Sequence, residues 1–193
     1  MIRIKKKIIR IIVIVAAALL ILNIALNFQE YSFKFRLLLN WNCKILPAKI
    51  NILYSENNFG GLDNDGSEYT VMEYRGNYDL SDIKIDDTYT SNGHAFRVIK
   101  SDALSENSFY YIENELKTLD VIDDPTDVYL KYGNIPEEFI LNKDDINYCI
   151  EIDRRLYKED AQNKPSANNI GYDRLYIMQD KTHNLIYILE STI

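Results

Sequence analysis

Two cysteines and two histidines are all that 193 residues hold of the side chains most used for soft metal ligation and nucleophilic catalysis. Neither His94, at the head of a strand after "SNG", nor His183, in a hairpin loop, has a spaced His, Cys or Glu partner of zinc type. Both are expected as exposed turn residues. Cys43 and Cys149 could pair if the body is exported, since the count is even, but spacing leaves open whether they meet. There is no G-x-S-x-G, C-x-x-C, H-E-x-x-H or phosphate loop, and no internal repeat. The sequence therefore nominates no catalytic, cofactor-binding or metal-binding residue.

Acidic side chains are missing from residues 1–27, which carry Arg3, Lys5, Lys6, Lys7 and Arg10. That leaves 17 of the 22 basic residues against all 29 acidic ones in the rest of the chain, a formal −12. A body so acidic repels phosphate backbones, which argues against nucleic-acid binding.

The basic cluster precedes "IIRIIVIVAAALLILNIALN", which has no charge from Ile11 to Gln29. Nineteen helical residues from Ile8 to Leu26 rise about 28 Å, close to a hydrocarbon core of about 30 Å. The denser basic cluster before the run places the N-terminus in the cytoplasm by the positive-inside rule. A cleavable signal peptide shares this plan, but the exit "ILNIALNFQEY" is a poor small-x-small site. The expected organisation is a basic cytoplasmic tail (1–7), an uncleaved transmembrane anchor (8–27), a juxtamembrane helix or stalk (28–49) and an extracytoplasmic domain (50–193).

In the juxtamembrane segment, "FQEYSFKFRLLLNWNCKIL" mixes aromatic residues and leucines with charge. It reads as a helix that stands on the membrane or docks on the domain, since tryptophan and tyrosine suit a membrane boundary.

Beyond Pro47 the hydrophobic period becomes two. Strands are predicted at Ile50–Tyr54, Glu68–Arg75, His94–Lys100, Asp127–Tyr132 and Ile146–Ile152. In the last, Ile146, Tyr148, Ile150 and Ile152 share one face, leaving Asn147, Cys149 and Glu151 on a face expected to be wetted. "DRLYIMQ", "DKTHN" and "LIYILES" predict a C-terminal β-hairpin that closes the sheet. "SENSFYYIENELKTLD" places Phe109, Ile112, Leu116 and Leu119 on one helical face behind a capping serine, and "IPEEFIL" suits a short helical turn. The predicted class is α+β: one transmembrane helix, then a single small domain with a mainly antiparallel sheet and one or two helices.

Acid-rich segments offer further candidates. In "GGLDNDGSEYTVMEY", Asp65 and Gly66 can be set at positions five and six of an EF-hand loop, with Asp63 at three. Position one is then Gly61 and position twelve Met72, so two anchoring ligands fail. The stretch reads as a turn entering the strand at Glu68. Asp86–Asp87, Asp123–Asp124 and Asp144–Asp145 sit among turn residues between apolar runs, where carboxylates normally face water.

The order of Phe59–Gly66 ("FGGLDNDG"), Tyr148–Arg154 ("YCIEIDR") and the tyrosine-rich hairpin Tyr176–Glu190 resembles a family of small, uncharacterised, membrane-anchored or exported proteins of Gram-positive bacteria. That family shares a "GGFHGDG"-like turn, whose histidine is replaced here by Leu62 or Asp63. The resemblance implies a location and a fold but no reaction. The expected function is a single-pass membrane protein whose outer domain binds a protein or envelope component without catalysis. The alternatives are an exported hydrolase using scattered carboxylates, or an acidic immunity or accessory partner of a basic protein.

Overall fold

The computed structural model describes residues 2–41, 46–47, 49–57, 66–91, 94–119, 135–155 and 172–192. Chain contacts divide it into two compact units, Met1–Lys44 and Ile45–Ile193.

The first unit is two helices, α1 (Ile2–Leu26) and α2 (Phe28–Trp41). Their axes bend by 76° between Ile12–Leu26 and Phe28–Trp41. Asn27 explains the corner: its side-chain amide donates to the Asn23 carbonyl at 2.8 Å, the acceptor that its own backbone N–H reaches at 3.1 Å. A polar side chain inserted into the helical ladder bends it. Among the described residues no single helix is long and apolar enough to cross a membrane, whereas this bent pair passes that test together.

The second unit is a seven-stranded antiparallel sheet in the order β1-β2-β7-β6-β5-β4-β3. Its strands are β1 (Ile50–Asn57), β2 (Gly66–Tyr74), β3 (Thr88–Ser91), β4 (His94–Ser101), β5 (Tyr148–Arg155), β6 (Tyr172–Asp180) and β7 (Leu185–Thr192). Strands β3 to β7 form a meander, and the β1–β2 hairpin adds to the free side of β7. The predicted C-terminal hairpin is present, but it lies in the middle of the sheet and closes no edge. Edge strand β1 has an irregular register between Ile52 and Tyr54, a device that blunts an edge against further pairing.

Helix α3 (Glu106–Thr118) covers one face of the sheet. The Ser105 side chain accepts from the Ser108 backbone N–H and so caps its first turn, as predicted. Ile112, Leu116 and Leu119 pack with Tyr69, Val71, Cys149, Met178, Tyr187 and Leu189. Cys149 is thus buried, which corrects the expectation that its side of β5 is wetted. Alternation alone does not reveal a helix that returns to cover the second face.

On the face away from α3, Met72, Ile150, Ile152, Leu175, Ile177, Ile186 and Ile188 are also buried. Part of this face is overlaid by the segment after β2, which ends in a 3-10 turn at Leu80–Asp82. The Glu137–Phe139 turn forms as expected behind Pro136. The predicted strand Asp127–Tyr132 lies outside the described residues.

Candidate functional site

One end of the α3-covered face changes from apolar to polar. Strand register lines up Arg97, Asp153, Arg174, Ser191 and Ser67 across β4, β5, β6, β7 and β2. One step further in, Glu151 of β5 is opposite Tyr176 of β6. From above, α3 contributes Ser108, Tyr111 and Glu115, spaced so that they share a helical face.

These groups gather around two carboxylates, Glu151 and Glu115. Around the first, the Ser108 hydroxyl donates to the Glu151 carboxylate at 3.2 Å, and the Tyr176 phenol and the Arg174 guanidinium act on its charge. Around the second, Tyr111 donates to Ser191 and Ser191 to Glu115, both at 3.1 Å, while the Ser67 hydroxyl also donates to Glu115. Arg174 joins the two: its guanidinium carbon stands 4.6 Å from the centre of the Tyr111 ring, and its Nε faces Asp153 at 3.5 Å.

Burial, then the charge of Asp153, pushes the Glu151 carboxyl above its ordinary range. Burial, then Glu151, likewise pushes the Tyr176 phenol up, and burial raises Tyr111. A raised carboxyl beside a guanidinium on an aromatic ring is the kind of perturbed group that marks sites. The site offers polar groups for holding a ligand.

A second constellation stands in the β6–β7 loop. Asp180 accepts the Thr182 and His183 backbone N–H groups on one oxygen, at 2.8 and 3.0 Å, and its other oxygen lies 2.6 Å from His183 Nδ1. Asn184 takes the left-handed conformation (φ 58°) that asparagine tolerates, completing the turn. Asp145 joins them, and the ligand atoms of Asp145, Asp180 and His183 lie within 4.8 Å of one another. His183 is thus exposed as expected but not isolated. Its partners come from three residues back and from the distant Asp144–Asp145 turn, a pairing with no zinc-type spacing.

Could the trio hold a cation? Asp180 already shares its oxygens among three donors and Asp145 accepts from Asn142 at 2.7 Å, so a cation would have to displace existing bonds. The hydrogen bond to Asp180, then that residue's charge, raises the His183 pKa. Together they form a charged turn cap.

Cys149 is a free, buried thiol, pushed up to about 12 by burial and then by Glu151. Cys43, Asp63, Asp65 and Asp123–Asp124 lie outside the described residues, as does the His94 side chain. Asp86 and Asp87 are exposed, with Asp87 3.6 Å from Lys100. The sequence reading missed the polar row because its members come from five strands and its further groups from α3. The i, i+2 pair Glu151 and Asp153 was the one local signal.

Compared with known proteins, the chain matches no family model, no curated protein and no solved structure.

Proposed function

We propose that the protein is a single-pass membrane protein, N-terminus in the cytoplasm, whose outer α+β domain binds a positively charged protein or envelope component without catalysis. The observation that carries the anchor is the surface of α1. Every side chain from Ile12 to Leu26 is exposed, with Ile14 and Ile21 each at 67%. Large apolar residues point outward on all sides of the helix, where a core helix would be covered. Hydrocarbon is the solvent that suits such a surface.

Orientation follows from Arg3, Lys5, Lys6, Lys7 and Arg10 before the run. The formal −12 of the remaining chain favours a basic partner.

Protease treatment of intact protoplasts carrying a C-terminally tagged chain tests the anchor. Loss of the tag from a full-length, membrane-bound chain is the expected result. A protected tag, or a shortened and released chain, overturns it.

A further inference from the structure

The apolar residues of α2 fall on two opposite faces. At about 100° per residue, Phe28, Phe35 and Leu39 lie within an arc of about 40°, with Tyr31 on its flank. They are 66, 60, 56 and 46% exposed. Phe33, Leu37 and Trp41, buried, occupy the opposite side. The exposed stripe contains no charge, since only Ser32 interrupts it. A soluble helix has one apolar face to bury, so the second one has to be accounted for.

Two features of the helix pair point to what covers it. A helix that leaves at 76° from a membrane-spanning one runs close to the membrane plane. The Tyr31 hydroxyl also donates to the Asn23 side-chain oxygen of α1 at 3.0 Å, so the stripe's flank turns back toward α1. The side of α2 that faces α1 is the side on which the bilayer would lie. Aromatic residues at the mouth of a span are the usual occupants of the headgroup layer.

We propose that α2 is an interfacial membrane helix, with Phe28, Tyr31, Phe35 and Leu39 inserted at the headgroup level so that α1 and α2 together form an L-shaped anchor. The inference rests on the spanning role of α1 and adds a second, in-plane contact with lipid. A phospholipid surface is the one occupant that both the bend and the continuity with the apolar surface of α1 provide for.

The test uses the full chain reconstituted in phosphatidylglycerol–phosphatidylcholine vesicles. Cys43 is replaced by serine, and Cys149 is left in place, buried and unreactive. An environment-sensitive thiol dye is attached in turn at Phe35→Cys, at Asn40→Cys on the side of α2 and at Leu20→Cys within α1. Spin labels on the lipids, shallow or deep, and aqueous iodide quench it competitively.

The expected result is deep-label quenching at position 20. Position 35 should show shallow-label quenching with iodide quenching several-fold weaker than at position 40. Should Phe35→Cys fail to fold, Leu39→Cys reads the same face. Deep quenching at 20 with equal iodide access at 35 and 40 overturns the interfacial helix and leaves the anchor standing. A position 35 shielded from both iodide and lipid labels assigns the stripe to protein and also overturns the proposal. No lipid quenching at position 20 overturns both readings together.

Discussion

The side-chain carbonyl of Gln179 accepts the backbone N–H of Leu80 at 2.8 Å, while its amide donates to the Tyr78 carbonyl and the Tyr74 hydroxyl, both at 2.9 Å. One fully buried residue of β6 therefore satisfies two groups of the segment that follows β2 and the hydroxyl of the last residue of β2. Leucine at this position would keep the volume and remove every partner. With each orphaned buried group costing about 1–3 kcal/mol, Gln179→Leu is expected to lower stability by roughly 2–4 kcal/mol in urea unfolding. A change under about 0.5 kcal/mol, the range of an ordinary surface substitution, would mean that water takes over these bonds.

His183 should make stability fall as pH rises through neutrality. Its folded pKa is raised by Asp180, so the stabilisation is fully present below the unfolded value of about 6.5 and is lost as pH rises through the folded value. Thermal melts of wild type and His183→Gln from pH 5.5 to 8.5 should converge at the alkaline end. Parallel curves would remove the Asp180 pairing as their cause. Because the ring is exposed, the effect should shrink in high salt.

Glu151 has the opposite charge and a raised pKa, because its ionised form is the one disfavoured in the folded state. Stability is expected to fall as pH rises above the unfolded value of about 4.3 through the higher folded one. Glu151→Gln retains an oxygen acceptor for Ser108 without the charge. Its stability relative to wild type should increase between pH 4 and pH 7 in the same unfolding assay. A constant difference across that range would place the carboxyl in a more open setting than its surroundings imply.

Cys149 should resist thiol reagents while the sheet is intact. Its thiol is buried and pushed up to about 12, so little thiolate exists at pH 8 and access is closed. Reaction with a maleimide is expected at the rate of unfolding and should accelerate in urea. Prompt labelling of a Cys43→Ser chain in the absence of denaturant would contradict that burial.

How much of this was legible in the sequence follows from what each signal depends on. Alternation marked β1, β2, β4 and β5, and the Ile112, Leu116 and Leu119 spacing marked α3, because those patterns reside in consecutive residues. Short β3 escaped: "TYTS" offers two cycles of alternation at most. The position of β7 between β2 and β6 was hidden because pairing partners are a tertiary choice. The same holds for the polar row, in which Ser67 and Ser191 look like strand-end serines until register places both beside Glu115. The His183–Asp180 bond spans only three residues, but a turn cap carries no metal-type spacing that would announce it.

Strand β7, last in chain order among the described strands, is an interior one, with consequences for how the protein is assembled. Gly66 of β2 meets Thr192 of β7 across a separation of 126 residues. Until β7 emerges, the β1–β2 hairpin has nothing to join, and β6 presents a bare row of amides and carbonyls. Such non-local pairing is slow, and an unpaired strand edge is a template for association with neighbouring chains. The order of strands therefore delays completion of the sheet until β7 has been made. Nascent chains need shelter during that interval more than finished ones do.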